Sequence, residues 1–119
     1  MEINEKIPST EECAASLKNV VDAMYVLNGK WKLALTLCLM HSPKRFNEIQ
    51  LEMAGISAKV LSAELKDLEL NYLIERIVYS TVPETIIYQA TDYSRSLRNV
   101  LRELSSWGEG HCSKIKEER

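Results

Sequence analysis

Cysteine, proline and phenylalanine are scarce in this 119-residue chain, with three, three and one respectively. Cys13, Cys38 and Cys112 are an odd set at scattered spacings, which excludes a disulfide framework and a Cys-x-x-Cys redox or metal motif. The longest nearly apolar window, Leu33 to Met40, is far too short to span a bilayer. Met1 to Thr10 carries Glu2, Glu5, Lys6 and Pro8 and has neither the basic opening nor the apolar run of a secretory leader. A cytoplasmic location is expected. Positive charge is also in short supply. A net charge of −2 and a pI near 5.7 argue against indiscriminate binding to polyanions. No Ser/His/Asp set, glycine-rich phosphate loop or paired-carboxylate pattern stands out, so an enzyme is not expected. Cys38-x-x-His41 and His111-Cys112 each offer two ligands where zinc sites need three or four. No metal and no cofactor is expected.

The length fits one domain over residues 1–119, and 45% hydrophobic residues suffice for a small core. Ser9-Thr10-Glu11-Glu12 has capping-box spacing and predicts a first helix. Cys13, Leu17, Val20, Val21, Met24 and Leu27 follow the helical period as one apolar stripe, and Asn28-Gly29 supplies the stop. A second helix over about 30–41 is apolar on nearly every side and should be the buried centre, with Cys38 in the core. Ser42-Pro43 ends it.

Phe46, Ile49, Leu51 and Met53 support a short third helix, Gly55 a tight turn, and Ser57 the cap of a fourth helix. In that helix Ala58, Leu61, Leu65 and Leu68 should pack inward. From Leu73 the period changes to two, and Ile74 to Tyr79 and Ile86 to Ala90 flank a tip around Pro83 as a hairpin. A last helix from about Asp92 carries Leu97, Val100, Leu101, Leu104 and Trp107 on one face. The fold class is mainly α with a small β-hairpin: a winged helix-turn-helix, with the helix pair at about 46–71 and the wing at about 73–91.

That layout points to double-stranded DNA. A helix whose first turns carry small or cationic side chains can enter the major groove, ~12 Å wide, and touch base edges. Ser57, Lys59, Val60, Ser62, Ala63 and Lys66 fit the description. Ser57 has a competing role as cap, and a solvated helix face is the plain alternative for the others. Glu64 and Asp67 oppose a simple phosphate-binding face. Between Gly29 and Asn47 the charged residues are Lys30, Lys32, Lys44 and Arg45, with no acid among them, so one face could be basic on a mildly acidic chain. Lys44 and Arg45 are candidates for phosphate anchors or for an ordinary solvated turn. The hairpin tip offers no base, leaving Arg76 as the hairpin's one cation. It could contact DNA or pair with Glu75 or Glu84.

Asn28-Gly29-Lys30-Trp31, Lys44 to Ile49, Gly55 to Ser62, Leu65 to Glu69, and Val82-Pro83 followed by Tyr88-Gln89-Ala90-Thr91 together resemble the HxlR-type winged-helix transcriptional regulators, relatives of the MarR type. The resemblance runs from about Cys13 to Gly108. It implies a homodimer whose first and last helices, about 10–28 and 92–113, form the interface, with the fourth helix as recognition helix. It also implies a repressor or activator, often answering to small electrophiles or oxidants. The chain departs from the family pattern at Ala14 and Ala58, where proline is usual, and at Glu64, where a polar or basic residue is usual.

The apolar stripes are hard to satisfy in so small a monomer. Leu17, Val20, Val21 and Met24 on one helix and Val100, Leu101, Leu104 and Trp107 on the other are the expected dimer interface. The resemblance makes Cys13 a candidate redox sensor, while the residues alone allow a small packed hydrophobe. Cys112 reads as an exposed bystander. Two alternatives stand beside the DNA reading: a winged-helix module that binds protein, and a regulator switched by a small ligand without thiol chemistry.

Overall fold

A computed structural model describes residues 9–118. The elements run α1 (Thr10–Val26), α2 (Lys32–His41), α3 (Phe46–Glu52), α4 (Ala58–Leu70), β1 (Ile74–Tyr79), β2 (Thr85–Ala90), a 3-10 helix (Tyr93–Leu97) and α5 (Arg98–Glu118). This is the winged helix-turn-helix expected from the sequence. Local signals explain most boundaries. The Ser9 hydroxyl accepts the Glu12 N–H at 3.1 Å and caps α1, and the Ser57 hydroxyl does the same for Val60 at α4. The α1–α2 turn passes through Gly29 at φ 91°, a backbone open to glycine at little cost. As a result α2 begins at Lys32, two residues later than the sequence suggests.

The core is made by one face of each central element. Leu35 and Leu39 of α2, Ile49 of α3, Leu61, Leu65 and Leu68 of α4, and Leu73 and Ile74 at the start of the hairpin form one buried cluster. Leu61, Leu65 and Leu68 recur at three- and four-residue steps, so their burial fixes which face of α4 points outward. The hairpin pairs Ile74 with Ala90 and Tyr79 with Thr85. Lys44 extends it by exchanging backbone hydrogen bonds with Tyr88, at 3.0 and 2.8 Å, which ties the segment before α3 to the wing.

Two helices reach beyond this core. Within the single chain no residue of α1 is buried, and in α5 only Leu101 is. The radius of gyration is 17.6 Å, against roughly 13.5 Å for a compact domain of this length. Leu17, Val20, Val21 and Met24 on α1, with Val100, Leu104 and Trp107 on α5, are 45–67% exposed. Leu101 corrects the sequence expectation. It is 6% exposed and belongs to the chain's own interior, because α5 turns that position toward α2, where Leu37 and Met40 line the same cleft.

The turn from α4 into β1 holds a second departure from simple rules. Tyr72 N–H bonds Glu69 O and Leu73 N–H bonds Leu68 O, at 3.1 and 3.0 Å, the paired bonds of a Schellman cap. The left-handed position of that cap normally takes glycine, and here it is Tyr72, at φ 63°. A side chain there costs about 1–2 kcal/mol.

Candidate nucleic-acid interface

α3 and α4 meet through the turn at Gly55, whose φ is 93°. With Leu61, Leu65 and Leu68 inward, Lys59, Ser62, Ala63 and Lys66 all lie exposed on the opposite face, and Val60 is 40% exposed beside them. The structure therefore brings these candidates together. Ser57 sits at the helix start with its hydroxyl engaged as cap, and its backbone lies where the helix's unpaired N–H groups point outward.

Two acids of α4, Glu64 and Asp67, are held from behind. Lys32 Nζ donates to Glu64 Oε2 at 3.0 Å and lies 3.5 Å from Asp67 Oδ2. The Lys32 side chain is 8% exposed and Glu64 is 19% exposed. Burial alone would lower the lysine's pKa. The hydrogen bond and charge of Glu64, helped by Asp67, more than reverse that and hold it above the usual 10.5. One ammonium thus fastens α4 to α2 and neutralises carboxylate charge flanking the outward face. Its one faint sign in the sequence is a lysine opening a largely apolar helix.

Lys44 is a correction. It is 7% exposed, and its ammonium donates to Ser42 Oγ at 2.8 Å and to Cys38 O at 3.1 Å, with Glu52 3.8 Å away. Hydrogen bonds to Cys38 O, Ser42 O and Ser42 Oγ already occupy the group expected to anchor a phosphate, so it closes the end of α2 instead. Of the four cations between Gly29 and Asn47, Lys32 and Lys44 are interior, and Lys30 and Arg45 remain exposed. Arg45 stands at the head of α3, where its N–H donates to Glu48 Oε1 at 2.8 Å and its guanidinium is left to solvent. Arg76 is exposed on β1 opposite Tyr88. Its neighbour Glu75 accepts from Gln89 Nε2 at 2.7 Å, so the pairing of Arg76 with Glu75 that the sequence allowed does not form.

The thiols divide sharply. Cys13 and Cys112 are exposed and Cys38 is buried. Cys38 Sγ donates to Glu52 Oε2 at 3.0 Å, and burial followed by that carboxylate pushes its pKa up to about 11. The thiol proton in turn holds Glu52 below its usual 4.5, an effect that burial opposes and Lys44 reinforces. Cys38 is therefore more than apolar filling, since it links α2 to α3. A thiol-specific disulfide reagent at pH 8 should modify Cys112 quickly and Cys38 only on unfolding, because the thiolate is the reacting form. Fast reaction of all three would contradict the burial of Cys38. Since the raised pKa favours the folded state only while the thiol keeps its proton, this contribution should be intact below pH 9 and disappear as pH rises toward about 11.

Among the described residues no three His, Cys, Asp or Glu side chains gather as a metal-ligand set, and no described helix is long and apolar enough to cross a membrane. Comparison with known proteins decides the family. Residues 26–116 match the model of the HxlR-like helix-turn-helix. The chain belongs to that family. The HTH-type transcriptional regulator YtcD of Bacillus subtilis is 36% identical over 97 residues, covering 82% of this chain and 77% of YtcD. YodB of the same species is 36% identical over 90 residues, 76% of this chain and 80% of its own. Among solved structures, the redox regulator HypR in its reduced form superposes with a TM-score of 0.78 at 29% identity, covering 83% of this chain and 98% of HypR. YtcD and YodB are named as HTH-type transcriptional regulators and HypR as a redox regulator, a class distinct from enzymes, as the sequence led us to expect.

Proposed function

We propose that this HxlR-like chain acts as a homodimeric transcriptional repressor that sets α4 into successive major grooves of a pseudo-palindromic operator. The observation that carries this reading is the outward face of α4, where Lys59, Ser62, Ala63 and Lys66 are exposed together while Lys32 holds Glu64 and Asp67 at the flank. Lys59 and Lys66 supply the charge, Ser62 a hydroxyl for a base edge, and Ala63 a small surface that lets the helix approach. Ser57 and Val60 lie on the same helix, and the exposed cations Arg45, at the head of α3, and Arg76, on the wing, complete the proposed contact surface. Lys44 is not part of it. The stripes of α1 and α5 supply the subunit contact, which spaces the two recognition helices as a two-fold operator requires.

Cys13 is the candidate for control by oxidants or electrophiles. HypR has been solved in reduced and oxidised forms, and YodB in diamide-treated and quinone-bound forms. In this chain Cys13 is exposed on the unpartnered helix α1, where reaction would disturb the subunit contact.

The test is a fluorescence-anisotropy titration of DNA from upstream of the chain's own gene, against random competitor and across a salt series. Specific binding should weaken steeply with salt, because phosphate contacts release counterions. Lys59→Ala should cost about 1–3 kcal/mol on the operator if it reads a base. Equal loss on random DNA would assign Lys59 to phosphate. Diamide should weaken operator binding by the wild type and leave Cys13→Ser unaffected. Undiminished sensitivity in that variant would remove Cys13 from the mechanism. Absence of specific binding in either redox state would favour a protein-binding winged helix instead.

A further inference from the structure

Thr91 stands where the wing ends and the chain turns toward α5. Its hydroxyl accepts the Ser94 N–H at 3.1 Å, and the Ser94 hydroxyl donates back to Thr91 O at 2.7 Å. That exchange starts the 3-10 helix, the local bonding for which serine and threonine are suited. The same Thr91 hydroxyl donates its proton to Tyr72 O at 2.6 Å, 19 residues back along the chain. Thr91 N–H adds a bond to Leu73 O at 3.2 Å. We propose that Thr91 is a positioning residue: its hydroxyl fixes the angle between α4 and α5, and thereby the half-site spacing that the dimer accepts on DNA.

Three observations carry the inference. The first is that starting the 3-10 helix does not require the donated bond. A hydroxyl has one proton and two lone pairs. A lone pair serves Ser94, and the proton goes to a different element. The second is the place that proton reaches. Tyr72 is the left-handed residue at which α4 turns into β1, at φ 63°, so the bond grips the peptide that ends the candidate recognition helix. A strained backbone persists only where its surroundings over-determine it. The third is continuity toward the arm. Arg98 joins the 3-10 helix to α5 at φ −54° and ψ −48°, a helical backbone, so no break separates Ser94 from the axis of α5. Ser94 is fully buried and cannot shift without moving that axis.

Leu97 and Leu101 also hold the arm to the chain's interior. Apolar contact is non-directional and lets a helix pivot, whereas a short hydrogen bond restricts the angle. Among the described residues Thr91 is the one whose side chain bonds both the end of α4 and the start of the 3-10 helix. The consequence for DNA rests on the dimer and the recognition helix proposed above, whereas the angle itself does not.

Two measurements on the full-length protein test this role, one without DNA and one with it. Thr91→Val keeps the branched shape and loses the hydroxyl. Ser94 N–H retains Thr91 O as a partner at 3.2 Å, so the variant should fold. Without DNA, backbone residual dipolar couplings report how α4 and α5 are oriented. Both helices should fit one alignment tensor in the wild type and in Thr91→Ser, and two different tensors in Thr91→Val. With DNA, one base pair inserted between the half-sites displaces them by roughly 3.4 Å and 35°. The wild type and Thr91→Ser should lose roughly thirtyfold in affinity on that insertion, as the second recognition helix disengages, and Thr91→Val only about threefold. A single half-site should be bound equally by all three proteins, because α4 itself is intact. One shared tensor in Thr91→Val, or a wild-type response to the insertion, would overturn the positioning role. Equal loss on the half-site would reduce Thr91 to support of the fold, and a Thr91→Ser that behaves as Thr91→Val would assign the effect to the methyl group. Either result would also overturn it. If none of the proteins binds the operator, the DNA reading fails, and the dipolar couplings alone decide whether Thr91 sets the angle.

Discussion

Aspartate at both Val20 and Leu104 should yield a folded monomer of 13.6 kDa whose operator affinity is at least a hundredfold below that of the wild type. The two positions are 62% and 47% exposed in the single chain and lie outside its buried cluster, so the wing and the helix pair should keep their packing. In a dimer those side chains would be covered. Burial of a large apolar side chain is worth about 1.5–3 kcal/mol, and a carboxylate forced into the same contact loses its hydration without a partner. Two such changes per subunit, doubled by symmetry, would place four unpaired carboxylates in the contact. Affinity falls with the dimer because the second recognition helix then no longer benefits from the first being bound, an advantage equivalent to a local concentration in the millimolar range. Sedimentation equilibrium gives the mass and anisotropy the affinity. A variant that remains dimeric would assign the subunit contact to another surface.

Lys32→Met should be the most damaging single change outside the apolar core, at about 3 kcal/mol. Removing one partner of a buried ion pair leaves the other charge stranded, a loss of about 3–5 kcal/mol when both are fully enclosed. The lower figure applies here because Glu64 is 19% and Asp67 54% exposed, so water recovers part of the cost. Glu64→Gln added to Lys32→Met should restore some stability, the reverse of its effect in the wild type. Urea denaturation of the four proteins measures that coupling. Because the lysine's pKa is raised in the folded chain, its contribution is fully present below its unfolded value and is lost only as pH climbs through the folded one. The cost of Lys32→Met should therefore be constant through the neutral range and shrink only in strong alkali. Additive behaviour in the cycle would reduce the contact to a surface pairing.

The helix-turn-helix was legible because its signals are local. Ser9 and Ser57 cap their helices as their spacing predicts, Leu61, Leu65 and Leu68 turn inward together, and the change of period at Leu73 marks the hairpin. Charge was misread for an equally definite reason. Lys30, Lys32, Lys44 and Arg45 look alike in sequence, yet two of them are drawn inside by partners that the sequence does not place beside them. Lys32 meets an acid 32 residues away, and Lys44 meets the carbonyl at the end of the preceding helix. The basic stretch thereby lost half its members while one of the two carboxylate charges flanking α4 was balanced, so the candidate DNA face owes more to α4 than the residues alone implied.

The sequence by itself determined the order of helices and strands, the caps that start them and the outward face of α4, since each depends on spacings within a few turns of chain. Only the tertiary structure decided that Leu101 is interior while Val100 and Leu104 stay uncovered, that Lys32 and Lys44 are structural cations, that Cys38 donates to Glu52, and that Thr91 bonds the strained backbone of Tyr72. Each of those outcomes depends on which distant atoms compete with water for a side chain. Helical period and composition carry no record of that competition.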